Sequence, residues 1–174
     1  MNIILIGFKN VGKTTTGQHL AEKLDFPFFD TDVLLLNLYN HVNGGNSSLV
    51  EIYKKEKEQG FRAWEQNAIE SLQEVENAVI ATGGGSILSE ENIRIFKNKG
   101  KIVYLKAAAA ELLKRQENNG IPAFINKTDP INDFLKIYHD REPIYARIAD
   151  HIVNVENKDD FDILTEIIEG IINQ

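Results

Sequence analysis

Ile3-Ile4-Leu5-Ile6-Gly7-Phe8-Lys9-Asn10-Val11-Gly12-Lys13-Thr14-Thr15 decides how this chain folds. The first four residues are a β-branched and leucine run, short enough for a strand buried on both faces. Glycine, four residues, glycine, lysine and threonine follow, the pattern of a phosphate-binding loop (P-loop). From Lys13 to Leu24, apolar Leu20, Ala21 and Leu24 recur at helical spacing. A strand enters the loop and a helix leaves it, which is the context the pattern needs. Gly7 and Gly12 let backbone amides, those of Asn10 and Val11 among them, turn inward around phosphate oxygens. Lys13 adds a point charge for the terminal phosphates. Thr14 offers a hydroxyl to Mg²⁺, and Thr15 is placed for a further phosphate contact. The loop predicts a nucleoside triphosphate ligand; the competing reading is a glycine-rich turn with no ligand.

Outward from the loop, short apolar runs alternate with amphipathic segments, as in an α/β domain with a parallel sheet. Strands are expected at Ile3–Ile6, Pro27–Phe29, Ala78–Thr82, Ile102–Leu105 and His151–Val155. Helices are expected at Lys13–Leu24, Val33–Leu38, Leu49–Gln59, Phe61–Val75, Ala107–Glu117, about Ile131–Ala149 and Phe161–Ile172, with Gly60 punctuating the third and fourth. Ser89 caps a further helix reaching about Asn98, with Glu90 and Glu91 suited to its positive end. Asn43 to Ser48 reads as a loop, and Asn118 to Pro130 as a mobile one. Neither a repeat nor a linker interrupts the series, so 1–174 reads as a single domain.

The 174 residues carry 19 Lys and Arg against 26 Asp and Glu, a net charge of −7, and no cysteine. A chain of this length buries roughly 70% of its unfolded surface and needs no staple. Without cysteine there is no disulfide framework, zinc ribbon or thiol nucleophile. The acidic balance disfavours nonspecific binding to nucleic acid or anionic membrane, yet leaves room for a local basic pocket. No signal peptide is apparent, and no apolar run approaches the ~20 residues that span a bilayer. The expectation is a soluble, cytoplasmic protein.

Ligands of an open parallel sheet gather at the carboxyl ends of the strands. The second strand ends Asp30-Thr31-Asp32 and the third ends Thr82-Gly83-Gly84-Gly85. Carboxylates at i and i+2 of an extended chain face one way, so both could enter the cleft, one towards Mg²⁺ and one to accept a hydroxyl proton. A turn with Asp32 capping the next helix is the other reading. The three glycines permit close backbone approach, for a flat substrate or merely in a tight turn. Arg62 and Glu65 stand at i and i+3 of one helix, where a solvated ion pair is the ordinary outcome. Arg141 alone reads as a surface arginine, and Trp64 as core or pocket wall. His19, His41, His139 and His151 lack metal-ligand spacing.

In this order the pieces resemble the shikimate kinases, small members of the nucleoside monophosphate kinase-like P-loop enzymes. The resemblance runs from about Ile3 to Val155 and rests on the P-loop, Asp30-Thr31-Asp32, Phe61-Arg62 with Glu65, Thr82-Gly83-Gly84-Gly85 and Arg141-Glu142-Pro143-Ile144-Tyr145. It implies a three-layer P-loop kinase fold: a central five-stranded parallel sheet, helices on both faces, a substrate-binding helical insertion (about 33–62) and a mobile lid (about 114–130). The implied reaction moves the γ-phosphoryl group of ATP to the 3-hydroxyl of shikimate, in a monomer with Mg²⁺.

Within the resemblance, Arg62 and Arg141 match the arginines on the shikimate carboxylate, and Glu65 the glutamate that orients one of them. Asp32 matches the aspartate on the ring hydroxyls that accepts the proton, and Asp30 the one near Mg²⁺. Gly83, Gly84 and Gly85 match the glycines lining the substrate, and Arg115 a basic residue near the adenine. Three departures stand out. Ile121 occupies the place of a lid arginine, with Lys127, Arg115 and Lys114 as candidate substitutes. Leu35-Leu36 replace an isoleucine-glutamate pair, and Asn43–Ser48 lengthens the insertion. The departures leave a gluconate-type kinase, or a nucleotide- and metabolite-binding homologue without fast catalysis, as alternative readings.

Overall fold

The computed structural model describes residues 1–119 and 129–172, and the side chains of all of these but 116–119 and 172. Strand β1 (Asn2–Ile6) is buried along its whole length. It lies at the centre of a five-stranded sheet of order β2-β3-β1-β4-β5, with β2 at Phe28–Asp30, β3 at Val79–Ala81, β4 at Gly100–Lys106 and β5 at His151–Asn154. Every pairing is parallel; Ile3 lies opposite Val79 on one side and Lys101 on the other. Burial on two sides explains the continuous apolar run in β1: side chains pointing either way meet helices, not water.

Helix α1 (Lys13–Leu24) follows the P-loop, and α7 (Asp160–Ile172) packs against it and against β5. Helices α4 (Glu90–Lys99) and α6 (Pro130–Ile148) both contact β4, and α5 (Ala109–Asn119) contacts α6. Ser89 caps α4 as the sequence predicts, its hydroxyl accepting from the Asn92 amide. No helix among the described residues is long and apolar enough to cross a membrane.

The remaining helices, α2 (Thr31–Asn43) and α3 (Leu49–Glu70), pair with each other. Leu35, Tyr39, Ile52 and Ala68 form a small buried cluster between them, with Trp64 edge-on to Tyr39. Leu35 and Ile52 contribute about 1.5–3 kcal/mol each and the Ala68 methyl less, so the cluster holds the pair together as a unit much weaker than the main core. Ser48 and Glu51 close a capping box at the start of α3, which fixes where the Asn43–Ser48 segment ends.

Several boundaries depart from expectation. Strand β2 runs one residue further, to Asp30, and α2 begins at once with Thr31 rather than Val33. Strands β3 and β5 end one residue short, at Ala81 and Asn154, and α3 ends at Glu70, not Val75. The α3 break falls at Lys57 (φ 59°, ψ −177°), not at Gly60. A single 3₁₀ turn, Ser86–Leu88, follows the three glycines. Ile121, Lys127 and most of the 114–130 segment lie outside the described residues.

Candidate active site

The P-loop leaves β1 through Gly7 (φ 145°), where a Cβ would stand 2.5 Å from the Leu105 carbonyl oxygen. Asn10 (φ 66°) and Gly12 (φ 110°) also take left-handed backbone values, which is how successive amides come to face one point. Gly12 is the N-cap of α1 and offers no side-chain cap, so the first-turn amides are available to an anion. The Asn10 side-chain nitrogen is buried without a partner among the described residues, a donor awaiting an acceptor.

Lys13 is buried and donates to the carbonyl oxygens of Gly7 (3.0 Å) and Phe8 (2.9 Å). Burial pulls its ammonium down from 10.5 to about 8, against the opposing pull of Asp32 and Asp30. Arg115, at the base of the lid segment, donates to the Val11 carbonyl (3.2 Å) and pairs with Glu111 (2.9 Å). It therefore braces the outside of the loop.

A cavity of about 460 Å³ opens beside the loop. Asn10, Gly12, Lys13, Thr14 and Thr15 line one end of it; Asp32, Arg62, Glu65, Gly83, Gly84, Gly85 and Arg141 line the other, with Asp30 beside Thr14. Gly7 and Val11 shape the loop from beneath and do not line the cavity. The fold thus brings to one cavity residues as far apart in the chain as Asn10 and Arg141.

Asp30 and Asp32 do not stand on one extended strand. Asp30 is the N-cap of α2, its carboxylate accepting from the Asp32 amide (2.9 Å), and Asp32 sits in the first helical turn. Capping thus falls to Asp30, and both carboxylates still reach the cavity because the strand ends at its rim. The second Asp30 oxygen accepts from the Thr14 hydroxyl (2.8 Å). Asp32 is pushed up from 3.8 to about 6, first by burial and then by the negative charges of Asp30 and Glu65.

Arg62 and Glu65 form no ordinary surface pair. Glu65 is 1% exposed; it accepts from Arg62 (3.0 Å) and from the Ser86 hydroxyl (3.1 Å). The glycine turn explains why three glycines are needed. A Cβ on Gly85 would stand 2.4–2.7 Å from the Arg62 guanidinium, and one on Gly83 would stand 2.6 Å from an Asp32 oxygen. These glycines admit the site's own side chains as well as bordering the cavity. The Gly84 carbonyl accepts from Arg141 (3.3 Å) and from the Tyr145 hydroxyl. The two guanidinium groups therefore rest on consecutive glycines.

Three features were not foreseen. Ser86 completes the support of Glu65, hidden from sequence by the unpredicted 3₁₀ turn. Leu49, Val50, Tyr53 and Phe61 of α3 form an apolar wall, for which the helical pattern gave no destination. Lys9 lines the cavity as a further cation, although the loop pattern leaves its position unspecified.

A family model described as shikimate kinase matches residues 9–172. A shikimate kinase of Caldanaerobacter subterraneus subsp. tengcongensis is 34% identical over 171 residues, 98% of this chain and 96% of the relative. Among solved structures, shikimate kinase from Acinetobacter baumannii in complex with shikimate aligns with a TM-score of 0.85 at 29% identity, over 99% of this chain and 93% of that one. A gluconokinase from Sinorhizobium meliloti aligns at 16% identity with a TM-score of 0.60, over 99% and 91%, a likeness of fold alone.

Proposed function

The chain belongs to the shikimate kinase family, and on that premise we propose that its cavity transfers the γ-phosphoryl group of ATP to the 3-hydroxyl of shikimate. The observation that carries this is the pair of guanidinium groups on Gly84 and Gly85, facing the P-loop across one cavity. Two planar forks suit a carboxylate that must be held in one orientation. A neutral polyol would offer these two forks no carboxylate to grip.

In this reading Arg62 and Arg141 bind the shikimate carboxylate, and Glu65 holds the Arg62 fork in plane. Asp32 hydrogen-bonds the reacting hydroxyl and takes its proton. The hydroxyl oxygen forms a bond to the γ-phosphorus while the bond from that phosphorus to the β,γ-bridging oxygen breaks. The electron pair leaves on ADP. Lys13 exchanges the Gly7 and Phe8 carbonyls for phosphate oxygens, which restores its full charge. The amides and side chain of Asn10, the amides of Val11 and Gly12, and Thr15 hold the β-phosphate region, while Arg115 keeps the loop's outer turn in place near the base. Catalysis rests on alignment and charge neutralisation.

The Thr14 hydroxyl and Asp30 carboxylate, 2.8 Å apart at the loop, are hard oxygen donors of the kind Mg²⁺ takes. Bound there with the nucleotide, Mg²⁺ would neutralise phosphate charge. We take 1–174 as one domain, with α2 and the first part of α3 as its substrate-binding insertion, acting as a cytoplasmic monomer.

The test is ADP release from Mg-ATP with shikimate, without it, and with gluconate. Shikimate should stimulate release to about 1–100 per second, and gluconate should not. Shikimate binding without turnover would make this a catalytically impaired homologue. Absence of both binding and turnover would refute the assignment.

A further inference from the structure

Among the described residues, Lys9, Lys13, Arg62 and Arg141 are the cations lining the cavity. Three are held in place: Lys13 by two loop carbonyls, Arg62 by buried Glu65, Arg141 by the Gly84 carbonyl. Lys9 differs. It is exposed, and its ammonium makes no hydrogen bond or ion pair to any described residue. Its charge is nonetheless felt at both functional groups, lowering the proton affinity of Asp32 and of Lys13.

The backbone placement of Lys9 is what gives it a role. Its amide nitrogen lies 3.4 Å from where a Gly84 Cβ would stand, so this turn of the P-loop rests on the glycine turn that carries Arg141. Asn10, next in sequence, begins the phosphate nest. Lys9 is thus anchored at the seam between the donor and acceptor ends of the cavity. A four-carbon stem fixed there lets an ammonium serve either end. Phosphoryl transfer spreads charge over three equatorial oxygens that move from one end to the other. A compact, rotatable charge with three donors can follow that movement, whereas Arg62 and Arg141 are tethered at the acceptor end and Lys13 at the phosphate loop.

We propose that Lys9 is a catalytic residue that binds the phosphoryl group in flight, contacting its equatorial oxygens in the transition state more strongly than in either bound substrate. The inference rests on the shikimate kinase reading above. The bond changes are those of that reaction, and Lys9 exchanges no proton in it.

The experiment compares the wild-type chain with Lys9→Met, which keeps the stem and removes the charge, and Lys9→Arg, which restores charge. Lys9 is exposed, so neither substitution removes core packing, and melting temperature checks the fold. In rapid-quench single turnovers with saturating Mg-ATP and shikimate, Lys9→Met should be slower by about 100-fold. KM for both substrates should stay within about threefold, and Lys9→Arg should recover most of the rate. Binding of the ADP–aluminium fluoride–shikimate complex should weaken by a similar factor, while ADP and shikimate bind as before.

An unchanged single-turnover rate in Lys9→Met, with an active wild type, overturns this inference and leaves the assignment standing. A raised KM at unchanged rate makes Lys9 a ground-state ligand and overturns it as well. A wild type inactive on shikimate removes the assignment and the inference together.

Discussion

The two ends of the cavity are built on opposite principles. The phosphate end is contiguous backbone: one strand, one loop and the first turn of one helix, with left-handed residues Gly7, Asn10 and Gly12 aiming the amides. The acceptor end is assembled from side chains on four separate segments, at 30–32, 62–65, 83–86 and 141–145. The backbone end holds its geometry through the central sheet and depends little on any one side chain except Lys13. The acceptor end depends on a relay, Ser86 to Glu65 to Arg62, laid against Gly85. A substitution there should damage one substrate and spare the other.

That contrast is broken most sharply at Lys13. Lys13→Met should lower kcat by about 10³-fold, while shikimate binding without nucleotide changes by less than about threefold. Calorimetric titration with shikimate checks it; a comparable loss of shikimate affinity would mean the two ends are one coupled site. Next comes Arg62→Lys, which cannot make both bonds of a fork. It should raise the shikimate KM by about 10–100-fold, from 1.5–3 kcal/mol lost, with the ATP KM within twofold. Unchanged shikimate binding would remove Arg62 from the site.

Gly85→Ala sharpens the comparison further. The atoms in the way are the end of a flexible side chain, so Arg62 should yield rather than the fold. Melting temperature should change by no more than about 2 °C while the shikimate KM rises about tenfold. A large drop in stability with normal kinetics would mean that Arg62 is fixed and the turn gives way instead.

How much of this was legible follows the same division. The phosphate end could be read because its determinants are adjacent: Gly7, Gly12, Lys13 and Thr14 stand within eight residues of one strand-to-helix junction. The sheet was legible for a similar reason, since burial on both faces writes itself as a continuous apolar run. The acceptor end was not. Arg62 and Glu65 carry the spacing of a solvated pair, and nothing local says that Glu65 is buried under Ser86. Only the resemblance to a family picked them out.

The α3 break shows the limit from the other side. Gly60 attracts the eye, but Lys57 takes the strained conformation, and Gly60 instead leaves room for Glu56, whose Cβ would lie 3.0 Å from a Cβ added there. Glu56 is held by the Tyr39 hydroxyl of α2 (2.8 Å). A tertiary contact thus stands beside the break, and such contacts are not local to the sequence.

Asp32 belongs to both ends, and the smallest predicted effect tests that position. Its carboxyl rises from 3.8 to about 6 because the fold buries it and sets Asp30 and Glu65 nearby, outweighing the attraction of Lys13 and Lys9. The folded state therefore prefers the protonated form. Below about pH 4 there is no penalty; the cost grows as pH rises towards 6 and is complete above it. The full rise would correspond to about 3 kcal/mol, and solvent at this half-buried group reduces that to about 1–2 kcal/mol. Asp32→Asn carries no charge at any pH. It should melt about 2–8 °C above wild type at pH 7.5 in the absence of ligand, the gain shrinking to nothing near pH 4. In the wild type, kcat/KM for shikimate should fall on the acid side with a midpoint near 6, since the free enzyme must present the carboxylate. A stability gain that is larger at pH 4 than at pH 7.5 would reverse the sign of the argument. Asp32 would then be a carboxylate that the P-loop lysines stabilise, and it would belong to the phosphate end alone.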